Sequence, residues 1–331
     1  MARKRMPASQ YVAGIRSRDR YILARAITLI ESALPADQVL AEEVLEACLP
    51  ATGKARRVGI TGVPGVGKSS FIESLGTFLT REREETVAVL SVDPSSPVSG
   101  GSILGDKTRM ESLANDDRAF IRPSASGGHL GGVARRTREA MLLCEAGGYQ
   151  NVFIETVGVG QSETTVRSMV DTFLLLMLAG AGDELQGIKR GIMEMVDVLA
   201  INKADGDNRR AAERARSEYE MALHFFPAGD DNWSPRVLTC SSLSREGLGA
   251  VWETVLEHQD AIRANGFFAE RRRRQALQWM QETILQGLED DFRHDSRVKA
   301  ALPPLEIDVR AGRISSFRAA RNLLDLFHRK D

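Results

Sequence analysis

Nine consecutive residues have the spacing of a phosphate-binding loop. The segment fits the pattern G-x-x-x-x-G-K-[ST] and runs Gly62-Val63-Pro64-Gly65-Val66-Gly67-Lys68-Ser69-Ser70. Backbone N–H groups of such a loop surround phosphates, the lysine reaches the β- and γ-phosphates, and the serine hydroxyl ligates Mg²⁺. The apolar run before the loop predicts a buried strand, and the pattern after it predicts an amphipathic helix. This context favours a nucleoside triphosphate site over a chance glycine-rich turn.

A second short segment indicates which base the nucleotide carries. Asn202-Lys203-Ala204-Asp205 fits the pattern N-K-x-D. The carboxylate of Asp205 can accept two hydrogen bonds from guanine, one from N1–H and one from the exocyclic amine. Adenine offers no such pair of donors and would leave a buried acceptor unpaired, so a site of this kind rejects it strongly. The two segments together predict that the ligand is GTP or GDP.

Acidic residues at the ends of predicted strands are candidate Mg²⁺ contacts. Glu155 ends an apolar run and precedes a glycine-rich segment. An unpaired buried carboxylate is costly, which favours a functional role for this residue. Asp93 also follows an apolar run, although that position alone fits a helix cap equally well. A strand-end acid followed by a γ-phosphate sensor is what a phosphate-loop enzyme requires.

The segment after Glu155 lacks a residue that Ras-like GTPases use in hydrolysis. Those proteins place a glutamine there to orient the attacking water. Here the aligned position is Val159, which cannot orient water, and Gln161 lies two residues further on. We therefore expect slow intrinsic hydrolysis that depends on a partner or on another loop.

Composition narrows the class of protein. The chain has 331 residues and a net charge of −1, which gives no general electrostatic basis for nucleic-acid binding. The apolar run Thr172–Ala179 is too short to span a membrane. Three widely separated cysteines argue against a disulfide scaffold and fit a reducing, cytoplasmic location. We interpret the basic run Arg271–Arg274 as a solvated helix face.

The order of apolar runs predicts an α/β fold, with a doubly wound, mostly parallel sheet forming a P-loop GTPase domain. Predicted strands are Val58–Thr61, Val87–Val92, Val152–Glu155, Phe173–Leu178, Val198–Ile201 and Val237–Cys240. Helices are predicted at about 69–81, 134–147, 162–171, 185–195, 207–224 and 247–264, with two more between 19 and 49. Beyond 266 we expect a long amphipathic helix at 267–290 and a short one at 315–328. The predicted domains are an N-terminal helical segment (1–54), the GTPase domain (55–265) and a C-terminal helical extension (266–331).

Six motifs in this order resemble those of the MeaB/ArgK family of GTPases, which includes the methylmalonic aciduria type A protein. They are GVPGVGKSS, VDPSSP, GGSILGDKTRM, ETVGVGQSE, GAGDELQGIKRGI and NKAD. The resemblance covers roughly residues 15–265. It implies a GTPase chaperone of an adenosylcobalamin-dependent acyl-CoA mutase, such as methylmalonyl-CoA mutase. It also implies a homodimer with dimer contacts in the C-terminal helices.

The resemblance also implies roles for individual residues. The phosphate-loop contacts are Lys68 and Ser69, and the acids around Mg²⁺ are Asp93, Asp106 and Glu155. Guanine recognition falls to Asn202, Lys203 and Asp205, with Ser241, Ser242 and Leu243 as the supporting loop. Residues 178–190 correspond to a switch loop in which Asp183 and Lys189 respond to the nucleotide or the partner.

Two alternatives stay open at this point. A metallochaperone GTPase of the hydrogenase or urease maturation type would share the fold, but it should carry Cys/His clusters, which the sequence lacks. A small-molecule kinase would need an acceptor site and would not need the segment Asn202–Asp205. Which acyl-CoA mutase would be the client is also open.

Overall fold

A computed structural model describes residues 5–92, 110–123, 130–156, 162–180, 190–226, 229 and 231–328. Within these residues, seven strands form one parallel sheet. The strands are β1 (Arg56–Gly62), β2 (Val87–Val92), β3 (Ala119–Arg122), β4 (Asn151–Thr156), β5 (Thr172–Leu178), β6 (Val198–Asn202) and β7 (Arg236–Thr239). Their order is β3-β2-β4-β1-β5-β6-β7. The central strands are buried along their whole length because helices cover both faces, which confirms the doubly wound prediction.

Thirteen α-helices lie in the described part of the chain. Their bounds are α1 (Ala8–Arg16), α2 (Arg20–Ile30), α3 (Pro35–Cys48), α4 (Lys68–Arg81), α5 (Glu111–Ala114), α6 (Leu130–Ala146), α7 (Ser162–Arg167), α8 (Arg190–Met193), α9 (Arg209–His224), α10 (Leu248–Ala264), α11 (Phe267–His294), α12 (Ser296–Arg310) and α13 (Ser316–His328). The N-terminal helices pack against α6 through apolar side chains, among them Ile15, Leu23 and Ile27, each at most 1% exposed. No described helix combines the length and the apolar content needed to cross a bilayer.

Four α-helices and strands in the described part of the chain were not predicted, one of them the single-turn helix α5. Strand β3 has four residues, too few for an apolar run to stand out, and its pairing with β2 fixes it in the sheet. Helix α1 lies before the first predicted helix. Helix α12 continues across Pro303 and Pro304, and the side chain of Asp295 caps its first turn by accepting hydrogen bonds from two backbone N–H groups.

The interpretation of Arg271–Arg274 as a solvated face is wrong for its first two residues. The side chains of Arg271 and Arg272 are only 11% and 14% exposed, whereas that of Arg273 is 70% exposed. Arg272 donates to both carboxylate oxygens of Asp171 at 2.9 and 2.7 Å. Buried carboxylates attract these guanidinium groups inward, since a buried charge needs a partner.

The chain divides into two compact units, 1–275 and 276–331. The sheet lies in the first unit. In the second unit α12 packs against α13, and the rings of Phe292 and Phe327 meet edge to face with centroids 5.4 Å apart. Large apolar side chains on α11 are more than half exposed there, namely Leu277, Met280, Ile284, Leu285 and Leu288.

Candidate nucleotide site

The phosphate-loop segment connects β1 to α4, as predicted. Gly67 has φ 90° at the N-cap of α4, a left-handed conformation that favours glycine. At Gly62 a Cβ atom would lie 2.4 Å from the carbonyl oxygen of Leu176 on β5, so a larger residue would not fit there. The backbone is thereby held in a tight curve directly before a helix N-terminus, which is an arrangement suited to phosphate.

Lys68 lies across the loop that precedes it. Its Nζ donates to the carbonyl oxygens of Gly62 at 2.9 Å and Val63 at 3.4 Å. Burial lowers the pKa of this ammonium group, and the carboxylates of Glu155 and Glu163 act in the opposite direction. A partly buried cation at this position interacts more strongly with phosphate oxygens than a fully solvated one does.

Two of the predicted Mg²⁺ contacts lie together. Ser69 Oγ donates to Glu155 Oε1 at 3.2 Å, although the residues are 86 positions apart. Glu155 is 4% exposed near the carboxyl end of β4, where it is in register with Ile60 of β1 and Ser91 of β2. A hydroxyl and a carboxylate oxygen are the ligand types that Mg²⁺ prefers.

Glu163 is a site residue that our sequence analysis missed. It is 1% exposed in α7, and its charge acts on Lys68. Glu163 belongs to the motif ETVGVGQSE. Its position two residues after Gln161 is the sequence feature that could have identified it as a site residue.

Asn202 fastens the predicted base-binding segment to the phosphate loop. Its Nδ2 donates to the carbonyl oxygen of Val66 at 2.8 Å, and its Oδ1 accepts from Ser242 N at 3.1 Å and Ser242 Oγ at 3.0 Å. Lys203 Nζ donates to the carbonyl oxygen of Gly65 at 2.9 Å. The phosphate and base segments therefore form one hydrogen-bonded structure.

The residues 241–243 support Asp205. Ser241 is fully buried, and its Oγ donates a short hydrogen bond to Asp205 Oδ2. Backbone N–H groups of Leu243 and Ser244 donate to the same hydroxyl at 3.2 and 3.0 Å. This arrangement orients the Asp205 carboxylate, while the Leu243 side chain is 86% exposed beside it.

The structure thus brings the phosphate loop, Glu155, Asn202–Asp205 and 241–243 to the carboxyl edge of the sheet. Four predicted site residues lie outside the described residues, namely Asp93, Asp106, Asp183 and Lys189. The segment that contains Val159 and Gln161 also lies outside them.

A second polar cluster lies at the amino edge of the sheet. Asp197, Asp231 and His258 are buried with ligand-type atoms within 4.8 Å of one another. Arginines already neutralise these acids, since Arg271 pairs with Asp231 at 2.8 Å and Arg167 pairs with Asp197. The cluster is therefore an ion-pair network, and its charges favour that role over metal binding.

A parallel sheet with a phosphate loop after β1 and an N-K-x-D segment after β6 defines a P-loop nucleotide-binding protein of the GTPase class. Residues 23–297 match the family described as Methylmalonyl Co-A mutase-associated GTPase MeaB. The chain belongs to this family and is a GTPase. The resemblance found in the motifs is confirmed.

Individual relatives agree with this assignment. GTPase ArgK of Escherichia coli (strain K12) is 50% identical over 274 residues, covering 83% of this chain and 82% of that protein. The protein called Methylmalonic aciduria type A homolog, mitochondrial, of Mus musculus is 44% identical over 324 residues, covering 95% and 78%. A crystal structure of LAO/AO transport system kinase has a TM-score of 0.75 and 37% identity, covering 97% of this chain and 98% of that one.

Proposed function

We propose that this GTPase controls the loading of adenosylcobalamin into a methylmalonyl-CoA mutase or a related acyl-CoA mutase, and supports its reactivation. The observation that carries the proposal is the match of residues 23–297 to mutase-associated GTPases. The mouse relative is also named after methylmalonic aciduria. The three cysteines are buried and free, which fits a reducing compartment, and we assign the protein to the cytoplasm.

In this proposal the residues at the carboxyl edge bind Mg²⁺ and GTP. Lys68 contacts the β- and γ-phosphates, and Asp205 recognises guanine. Ser69 and Glu155 hold Mg²⁺ together with Asp93 and Asp106. The 3.2 Å hydrogen bond between Ser69 and Glu155 supports this, since it already places two oxygen ligands side by side. Mg²⁺, when bound, neutralises charge on the phosphates.

Hydrolysis is slow in the isolated protein and is stimulated by the mutase. Valine at 159 leaves the attacking water without an orienting side chain. Strand β5 ends at Leu178 at the carboxyl edge. We assign the coupling to the partner to residues 178–190, through Asp183 and Lys189. A side chain that reaches the nucleotide only when the partner is bound positions the attacking water and stabilises the charge of the transition state only in the complex.

The protein is a homodimer in this proposal, and the C-terminal extension 266–331 provides the contacts. The exposed apolar residues of α11 lie at helical spacing on one face. An extended apolar surface of this kind marks an interaction site.

The test is GTP hydrolysis measured with and without a purified adenosylcobalamin-dependent acyl-CoA mutase. The unmodified chain should hydrolyse GTP slowly alone and faster with the mutase, and loading of adenosylcobalamin, followed by absorbance, should depend on GTP. Lys189→Ala should keep the basal rate and lose the stimulation. Lys68→Ala should lose GTP binding without a change in melting temperature. Lys54→Ala, at an exposed position outside the site, is the matched control and should behave like the unmodified chain.

Two results would contradict parts of the proposal. Absence of stimulation and of nucleotide-dependent loading with every mutase of this class would remove the chaperone function. If the mutase still stimulates both Lys189→Ala and Asp183→Ala, residues 178–190 are not the coupling element. The proposed chaperone function would not be affected by that result.

A further inference from the structure

A serine outside the predicted site joins α4 to the loop that supports the base. Ser74 Oγ donates to the carbonyl oxygen of Ser242 at 2.7 Å, across 168 positions in the sequence. Ser74 is 8% exposed and lies in the second turn of α4, the helix that begins at Lys68. The hydrogen bond therefore connects the helix of the phosphate loop directly to residues 241–243.

This hydrogen bond closes a ring through both halves of the nucleotide site. Ser242 donates to Asn202 Oδ1, and Asn202 Nδ2 donates to the carbonyl oxygen of Val66 in the phosphate loop. From Val66 the chain enters α4 and returns to Ser74. Each of the three segments is thus held by the other two.

The Ser74 hydroxyl does not bond within its own helix, as such hydroxyls commonly do. Serine and threonine inside a helix commonly bond a carbonyl oxygen one turn earlier in the same helix. Thr80, two turns further along α4, bonds the carbonyl oxygen of Thr77 at 3.3 Å in this way. Ser74 instead bonds a different segment, whose described conformation is neither helix nor strand.

We propose that Ser74 is a positioning residue for guanine recognition. It holds the Ser242 carbonyl, so that the neighbouring Ser241 hydroxyl stays directed at the Asp205 carboxylate. Without it the loop 241–243 loses its tie to α4, and binding a base then has to order that loop, which lowers affinity. The inference rests on the proposed guanine site at Asp205.

The experiment measures displacement of fluorescent N-methylanthraniloyl-GDP from the full chain by GDP and by inosine diphosphate, which lacks the exocyclic amine. The variants are Ser74→Ala, Ser74→Thr and Thr80→Val. Ser74→Thr keeps the hydroxyl, and Thr80→Val removes a buried hydroxyl of α4 that bonds a carbonyl oxygen of the same helix. Ser74→Ala should weaken GDP binding roughly 3- to 10-fold, the range for one hydrogen bond. It should weaken inosine diphosphate binding less, so the preference for GDP falls. Ser74→Thr and Thr80→Val should retain that preference.

The outcomes distinguish a failure of the Ser74 inference from a failure of the proposed guanine site. Equal loss of both nucleotides in Ser74→Ala, or behaviour identical to Thr80→Val, would overturn the positioning role. Asp205→Asn, assayed in parallel, reports on the site itself. If Asp205→Asn changes the preference for GDP and Ser74→Ala does not, only the inference about Ser74 fails.

Discussion

At the scale of single residues, the carboxylate of Asp205 is oriented by a hydrogen bond from the Ser241 hydroxyl. One of its oxygens accepts from Ser241 Oγ, and the residue is only partly exposed. A carboxylate oriented in this way presents acceptors in a fixed direction, so base preference should follow the chemistry of this one side chain.

Asp205→Asn should therefore lower GDP affinity and raise affinity for xanthosine diphosphate, because the amide places a donor where xanthine has a carbonyl. One matched hydrogen bond changes affinity by about tenfold. Competition binding with both nucleotides measures the switch. Asp207→Asn, at an exposed position two residues away, is the control and should change neither affinity. An unchanged preference in Asp205→Asn would show that the base lies elsewhere.

Much of the residue-scale site was predictable because its two main motifs are each continuous in sequence. The phosphate loop and the N-K-x-D segment are short runs whose chemistry is visible in the sequence itself. Ser74 was not predictable, since its partner is 168 positions away. Glu163 lies near Lys68 only because α7 folds back beside β1 and β4.

At the scale of elements, the first turns of α11 are fixed to the amino edge of the sheet. Arg272 donates to Asp171 and to the carbonyl oxygens of Gly53 and Ala55, just before β1. Asp171 in turn accepts from Arg57 N at 2.9 Å. A basic run at a helix start usually faces solvent, and the aspartate partner lies 101 positions away, so sequence patterning could not identify this contact.

Removing Arg272 should therefore leave the fully buried Asp171 without its cation. Loss of one partner of a buried ion pair costs about 3–5 kcal/mol, so Arg272→Ala should reduce the free energy of unfolding by that order. Arg273→Ala, on the next residue, should change it by less than about 0.5 kcal/mol because that side chain is 70% exposed. Urea unfolding of both variants tests this. Equal stability of the two would mean that the Arg272 pair contributes no net stabilisation.

At the scale of the whole molecule, two further ion pairs, Arg57–Glu145 and Arg272–Asp171, extend the ion-pair network. Among the described residues, four arginines then pair with four carboxylates, namely Arg57, Arg167, Arg271 and Arg272 with Glu145, Asp197, Asp231 and Asp171. His258 lies among them, fully buried, with its Nδ1 2.9 Å from Thr172 Oγ1. A proton on His258 would add an unbalanced charge to this network.

Stability should accordingly fall as the solution becomes acidic. Burial lowers the pKa of His258; Asp197 and Asp231 act in the opposite direction, and Arg271 and Arg167 lower it further. The unfolded chain then binds a proton near pH 6.5 that the folded chain does not, so stability is lost below that pH. His258→Gln should flatten the decrease in unfolding free energy between pH 7 and 5.5. His224→Gln, on the surface, should retain the decrease. The same slope in His258→Gln and the unmodified chain would rule out this origin.

The exposed apolar face of α11 is the proposed dimer contact, which a single substitution can test. Ile284 is 53% exposed near the centre of a face with Met280 and Leu288. Ile284→Glu should convert the proposed dimer to a monomer in sedimentation equilibrium, since burying a charge in an apolar interface is costly. Lys54→Glu places the same charge at an exposed position outside this helix and should leave the dimer intact. A monomeric unmodified chain would contradict the dimer directly.

The parallel course of the strands separates two kinds of sequence variant. Every strand of the sheet begins near the edge where the ion pairs lie and ends at the edge where the nucleotide motifs lie. A substitution among the ion pairs lowers the amount of folded protein, so growth at lower temperature or higher expression restores activity in cells. A substitution that removes only a proposed nucleotide contact at the opposite edge, such as Asp205→Asn, should leave abundance normal, and neither treatment should restore activity. Strand direction therefore separates the ion-paired positions, where changes should be temperature-sensitive, from the proposed nucleotide contacts, where they should not be.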